Sequence, residues 1–329
     1  MKQWNFNFVG NWKKFVIISA SIIVVGAILF AIFGVDLDIN FRGGSRFTYS
    51  YSGEVDVDKV ESVAEKVLGE KVSVSTAEAA IAEEGEDNKT IIITVPGVAV
   101  AAEKSEDGES LGIHGELKEA LDKKLKTTFT SQESNVVEAS IASNFFIKSL
   151  VAVALAAILV IVYIGFRFRN IGGLSASLFA LLALLHDVLI AFIACVVFRL
   201  EIDMNFLAVV LTIFGYSLND TIVIYDRIRE NRKKNRSMPI AEVTNLSVNQ
   251  TLGRTIVTSL TTFIAVVVVG VVAEFFGLTT LRTFAIPMAI GLISGTYSSV
   301  CLTCPLWVKW QEAAALRKEA KAKDYSKRK

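Results

Sequence analysis

Two acids and one histidine sit where water is scarce. His186, Asp187 and Asp220 are the ionisable residues well inside the long apolar stretches of this 329-residue chain. A charged side chain there costs on the order of 2.5–3.5 kcal/mol, so each needs a purpose. Polar residues crowd around one of them, in Gly215-Tyr-Ser-Leu-Asn-Asp-Thr221. Ser217 lies three residues before Asp220 and shares its helix face, with Asn219 and Thr221 flanking. A carboxyl group kept from water that exchanges its proton as a cation or hydrogen-bond donor approaches has the chemistry of a proton carrier. Arg254, just before the next apolar stretch, is its expected cationic partner. The competing reading is a static interhelical hydrogen bond or ion pair. His186 and Asp187 are neighbours, about 100° apart around a helix, so each is expected to find its partner on another helix. One of the two is expected to join a relay with Asp220.

The elements that hold these residues are six apolar runs, at 15–34, 149–166, 174–198, 205–225, 255–273 and 283–308. Each is long enough for a membrane-spanning helix, which needs about 20 residues. The composition agrees: 52% hydrophobic residues, a mean hydropathy of +0.49, and yet 20% charged residues. So apolar a chain cannot cover a globular surface unless the two kinds of residue are segregated. The first run follows Lys13 and Lys14 but is too long for a secretory signal and lacks a small-residue cleavage site, so we read it as a retained helix. Basic residues collect in alternate loops. Residues 1–14 carry a net +3, the connection holding Arg167 and Arg169 +2, the one after the fourth run +4 and the tail 309–329 +5. By the positive-inside rule both termini are cytoplasmic. A near-equal count of 34 Lys+Arg and 33 Asp+Glu leaves no basic excess for nucleic acid.

Between the first two runs, residues 35–148 carry 22 acids against 12 bases and fall on the outer side. The spacing predicts strands at 47–51, 71–76, 90–95 and 136–141, and helices at 55–68 (capped by Asp56) and 117–125. The order β-α-β-β-α-β is that of a ferredoxin-like α+β domain. Residues 82–89 and 101–112 read as acidic loops. The fold class is therefore a polytopic α-helical membrane protein with six transmembrane helices, 149–308 holding the last five, and one extracytoplasmic α+β domain.

Several signals point away from catalysis. No P-loop, nucleophile elbow, HExxH or GxGxxG is present, so no cofactor is expected and any energy comes from a gradient or a separate ATPase. Cys301 and Cys304 lie in an apolar run without further ligands, so no metal is expected. Gly291 and Gly295, with Ser298 and Ser299, read as small residues that let helices approach. His114 reads as a surface residue. Arg227, Arg229 and Glu230 read as interfacial anchors.

The run from Gly215 to Asn231 (GYSLNDTIVIYDRIREN), with Ala183-Leu-Leu-His-Asp-Val188 and Gln250-Thr-Leu-Gly-Arg-Thr255, closely resembles the SecF family, the smaller of the SecD/SecF pair of the bacterial protein-export machinery. The likeness extends to the layout of one span, a domain and five spans, and to Asp38-Ile-Asn-Phe-Arg-Gly-Gly44. There the family usually reads Asp-Phe-x-Gly-Gly, and this chain has Asn40 before Phe41. The resemblance implies a multi-pass protein of the bacterial inner membrane, in the resistance-nodulation-division superfamily. It implies a six-span SecD-like partner, the Sec translocation channel, unfolded exported polypeptide and membrane lipid as surroundings, and use of the proton gradient. Asp220 and Arg254 match family positions linked to proton movement, with Asp187 a weaker candidate. Two other readings are a half-size exporter of lipid or small hydrophobic solutes, and a non-transporting scaffold of the channel complex.

Overall fold

The computed structural model describes residues 5–78, 89–97 and 113–327. Among the described residues, six helical segments are long and apolar enough to cross a membrane, one for each run expected. They are α1 (Trp12–Phe33), α5 (Ala139–Arg167), α6 (Gly173–Phe198), α7 (Met204–Lys234), α8 (Ile240–Phe275) and a composite last span. That last span is α9 (Thr279–Tyr297), a π-helical turn at Ser298–Thr303, then α10 (Cys304–Lys327). Helical geometry does not stop where hydropathy falls. α7 runs through the basic residues to Lys234, and α8 begins at Ile240, well before its apolar stretch. The two polar extensions hold one another through Asn231, whose amide donates to Ser247 Oγ at 2.9 Å and Gln250 Oε1 at 2.8 Å.

Small residues decide which helix is central. α6 buries Gly173, Ala176, Ser177, Ala180, Ala183, Leu184, Asp187 and Ala191, a repeat of three and four that puts the carboxylate on the packed face. α7 buries Ile213, Ser217, Asp220, Thr221 and Ile224 at the same spacing. α1, α5 and α8 bury little and expose Ile, Leu and Val, as helices facing hydrocarbon do.

The α+β domain follows a four-residue helix α2 (Ile39–Arg42). It comprises β1 (Gly44–Tyr51), α3 (Val57–Leu68), β2 (Ser73–Glu78), β3 (Lys89–Pro96), α4 (Ile113–Leu125) and β4 (Phe129–Val137). Its sheet is antiparallel in the order β2-β3-β1-β4, so β1 and β3 are central. Val60, Val63 and Ala64 of α3, with Leu117 and Leu121 of α4, pack against Phe47, Tyr49, Ile91, Ile93 and Phe129. Asp56 accepts from Asp58 N–H at the start of α3, and Gly69 ends it in the left-handed region.

Two expectations are corrected here. The closing strand is not 136–141: β4 ends at Val137, and α5 starts at Ala139, so the apolar residues after Glu138 belong to a helix that continues into the membrane span. His114 is not a surface residue. It is buried, stacked on Tyr49 with ring centroids 4.9 Å apart, and its ring faces Ser131 Oγ at 3.3 Å. Burial, with Lys118 nearby, lowers its proton affinity below the usual histidine range. The acidic loops expected at 82–89 and 101–112 lie outside the described residues, except Lys89, which opens β3.

The Gly43–Gly44 corner is required by its surroundings. Both residues have positive φ, a Cβ on Gly43 would stand 2.8 Å from Ala139 Cα, and one on Gly44 would strike Val95 O. Asp38 is 2% exposed and caps α2, accepting from Asn40 N–H at 2.8 Å and Asn40 Nδ2 at 2.6 Å. Asn40 thus serves the acid two residues before it.

Candidate functional site

The two intramembrane carboxylates sit on adjacent helices, and α9 with its π turn supplies hydroxyls directly to Asp187 and reaches Asp220 only through Ser259 of α8. Asp187 is fully buried. Its Oδ2 accepts from Ser217 Oγ of α7 at 2.8 Å and from Ser298 Oγ at 2.7 Å, and its Oδ1 from Ser294 Oγ at 2.7 Å. His186 Nδ1 lies 3.1 Å from the same Oδ1. Gly295 makes this convergence possible, since a Cβ there would come 3.1 Å from Ser217 Cβ and 3.6 Å from Asp187 Oδ2.

The π turn matters to the geometry. A π-helical turn holds more residues than an α-helical one and is common at functional sites. Here it lets consecutive serines serve different neighbours: Ser298 reaches Asp187 on α6, while Ser299 donates to Ser217 O on α7 at 3.1 Å and pairs with Thr221 Oγ1 at 2.9 Å. Thr303 Oγ1 in turn donates to Ser298 O at 3.1 Å.

Asp220 is nearly as buried, at 2% exposure, and far less engaged. Its Oδ2 accepts one long hydrogen bond, 3.4 Å from Ser259 Oγ of α8. Ser259 is itself oriented by Thr296 Oγ1 of α9, which donates to it at 2.6 Å. Arg254 is exposed on α8 and forms no ion pair with Asp220 among the described residues.

The residues singled out from sequence therefore separate into two groups. Ser217, expected beside Asp220, serves Asp187. Thr221 serves Ser299, and Asn219 is exposed. His186 and Asp187, expected to look to different helices, touch each other. The 100° between them separates their Cα–Cβ directions, but both side chains turn toward α9, where Ser294 Oγ also lies 3.4 Å from His186 Nδ1. Ser294, Ser259 and Thr296 were not foreseen. Ser294 and Ser298 stand four apart in an apolar run, a same-face polar pair that signals a buried partner. Near the ends of α5 and α7, Asp226 holds Arg167 at 3.0 Å and Arg229 at 2.9 Å, and Arg227 pairs with Glu230 at 2.6 Å.

Residues 117–313 match the family described as protein export membrane protein SecD/SecF, C-terminal. The chain belongs to the SecD/SecF family. The protein translocase subunit SecF of Rhodothermus marinus is 34% identical over 325 residues, covering 95% of this chain and 96% of that one. SecF of Alicyclobacillus acidocaldarius is 32% identical over 93% of each chain. In Bacillus subtilis the similar protein is SecDF, 30% identical across 94% of this chain but 38% of its own length. Among solved structures, the crystal structure of SecDF from Thermus thermophilus superposes with a TM-score of 0.75 at 29% identity, covering 94% of this chain. This chain spans about two fifths of that SecDF structure, 39% of its length. Membership in the SecD/SecF family and six apolar helices make this a multi-pass membrane protein of protein translocation.

Proposed function

We propose that this chain is the SecF-type half of a protein translocase accessory complex, and that Asp220 carries the proton whose movement down the gradient promotes polypeptide export. The observation that carries the reading is the contrast at Asp220: a carboxyl group closed off from water that has, among the described residues, one long hydrogen bond. A group so held is free to gain and lose a proton without dismantling a network. The function is transport rather than catalysis of a covalent reaction.

The location is the bacterial inner membrane, with both termini cytoplasmic and the acidic α+β domain outside, as the loop charges require. A six-span SecD-like half is the expected partner, since this chain matches only 38% and 36% of the length of SecDF relatives that carry it in one longer chain. The face beside Asp220 supports this. Thr212, Gly215 and Asn219 on α7 and Arg254 and Thr261 on α8 are exposed. Thr212 and Thr261 satisfy themselves on their own helix, at 2.7 and 2.9 Å, whereas Asn219 and Arg254 make no side-chain hydrogen bond or ion pair among the described residues. An amide and a guanidinium beside hydrocarbon call for partners on another chain. The translocation channel and the unfolded exported chain complete the assembly, with lipid around it.

Asp220→Asn is the test. Gradient-dependent stimulation of export in vesicles is expected to vanish while co-purification with the SecD-like half is unchanged. Normal stimulation in that variant would return the chain to a scaffold, and export of lipid with no effect on polypeptide would return it to a small-solute exporter.

A further inference from the structure

The connection between α6 and α7 joins the two acid-bearing helices, and it is also where the α+β domain is fastened. Ile202 N–H donates to Asp36 O at 2.8 Å, and Asp38 N–H donates back to Ile202 O at 3.1 Å. This pairs Leu37 with Ile202 as a parallel bridge between that connection and the linker after α1. One residue away, Arg46 of the central strand β1 enters the junction. Its Nη2 lies 2.6 Å from Glu201 Oε2 and 2.6 Å from Asp38 Oδ2.

The position of the chain tethers gives Arg46 its importance. The domain is entered at Gly43–Gly44 and left at Glu138–Ala139, and Gly43 packs directly on Ala139. Two tethers that meet at one place act as a single hinge. A second point of attachment is needed to stop rotation about it, and the Arg46–Glu201 contact supplies one. Beyond it the sheet stands off from the bundle across a cavity of about 260 Å³, lined by Ser73 and Ser75 on one side and Arg199, Thr279 and Thr283 on the other. The junction is partly dry: side-chain exposure is 23% for Arg46, 2% for Asp38 and 35% for Glu201. Burial pushes Glu201 up from its ordinary value, opposed by Arg46 and Arg42 and reinforced by Asp38 and Asp36. Charge–charge contacts in such a place are screened less than at an open surface.

We propose that Arg46 is the positioning residue that makes the α+β domain travel with α6 and α7, by bridging Asp38 and Glu201. Displacement at the helices that hold Asp187 and Asp220 then reaches the sheet instead of being lost in a hinge. The geometric part stands by itself, and the consequence for export rests on the proton-driven reading above.

The experiment uses the full chain with its SecD-like half in lipid vesicles, spin-labelled at Ser62→Cys on α3 and Leu278→Cys before α9. The parent is expected to give one narrow distance distribution, Arg46→Ala a broad one, and Arg46→Lys, which keeps a cation between two carboxylates, a narrow one again. Glu201→Gln, which leaves the buried Asp38 paired, is expected to broaden it too. An unchanged distribution in Arg46→Ala or, should that chain not fold, in Glu201→Gln overturns the proposal. In export, Arg46→Ala is expected to lose gradient-dependent stimulation as fully as Asp220→Asn while co-purifying normally. Normal export by Arg46→Ala beside an inactive Asp220→Asn overturns the positioning role and leaves the proton role standing. Normal export by Asp220→Asn defeats the proton role, and the distance distributions then decide on Arg46.

Discussion

Asp187 and Asp220 sit on neighbouring helices of one bundle, both almost wholly buried, and their surroundings are opposite. Three serine hydroxyls and an imidazole close on Asp187, from its own helix, from α7, and from α9 with its π turn. Asp220 has Ser259 at 3.4 Å. A buried carboxylate whose lone pairs are filled from three helices fixes those helices relative to one another, whereas one with a single weak partner fixes little and stays available. Burial alone therefore does not distinguish the two acids, and the number of donors does.

The comparison breaks most directly at Asp187. Replacing it with Ala strands three buried hydroxyls and an imidazole, and should cost about 3–5 kcal/mol, the range for removing one member of a buried charged network. Unfolding of the purified chain in mixed micelles would read this as a collapse in stability, whereas Asp220→Asn should be close to neutral in the same assay. Equal losses from the two would erase the distinction. Next in size is Ser294→Ala, which removes one 2.7 Å donor and should cost about 1–3 kcal/mol. Ser259→Ala removes the 3.4 Å donor and should cost about 0.5 kcal/mol, while altering the pH at which gradient-driven export is half maximal. Smallest in stability is Arg254→Ala: an exposed side chain with no ion pair among the described residues should leave unfolding within about 0.5 kcal/mol of the parent, with reduced export stimulation.

A third buried titratable group lies outside the membrane and sharpens the contrast. His114 is held neutral, its affinity for a proton lowered by burial and Lys118. A histidine with its folded value below its unfolded one contributes stability above about pH 6.5, lost as pH falls through the folded value. Thermal unfolding of the α+β domain within the full chain should therefore decline on acidification below about pH 6.5, by at most about 1.4 kcal/mol per unit for one proton. His114→Gln should flatten that slope.

Much of this arrangement was legible in the chain. Apolar runs announce spans because nothing else explains their length, and Asp187 and Asp220 stand out because an acid inside such a run is rare. Strand 47–51 follows from alternation and strand 90–95 from a β-branched run stopped by Pro96–Gly97, and the observed β1 and β3 contain them. The closing strand was misplaced because Val136 and Ile141 are apolar on both sides of a boundary that only the Glu138 backbone marks. The site was half visible for a different reason. Spacing within one helix shows which residues share a face, and so grouped Ser217 with Asp220. The partner chosen by a hydroxyl depends on the neighbouring helix, and Ser217, Ser294 and Ser298 come to Asp187 from 30, 107 and 111 residues away. His114 was misread because its cover comes from strands β1 and β4, Tyr49 from 65 and Ser131 from 17 residues away.

The π turn at Ser298–Thr303 governs how the last helix meets the bundle. An α-helix turns about 100° and rises about 1.5 Å per residue, so the extra residue accommodated in a wide turn sets the rotational phase of α10. α10 enters with Cys304, Trp307 and Val308 inward, and Trp307 Nε1 donates to Ser175 Oγ at 3.2 Å at the start of α6. Deleting one residue from 298–303 would iron the turn into a regular helix and swing the indole out of phase, taking Gln311 off Ile171 O and Ser175 as well. The stretch thus works as a keyway: it indexes the basic terminal helix against the bundle while presenting the Ser298 hydroxyl to Asp187 in its interior.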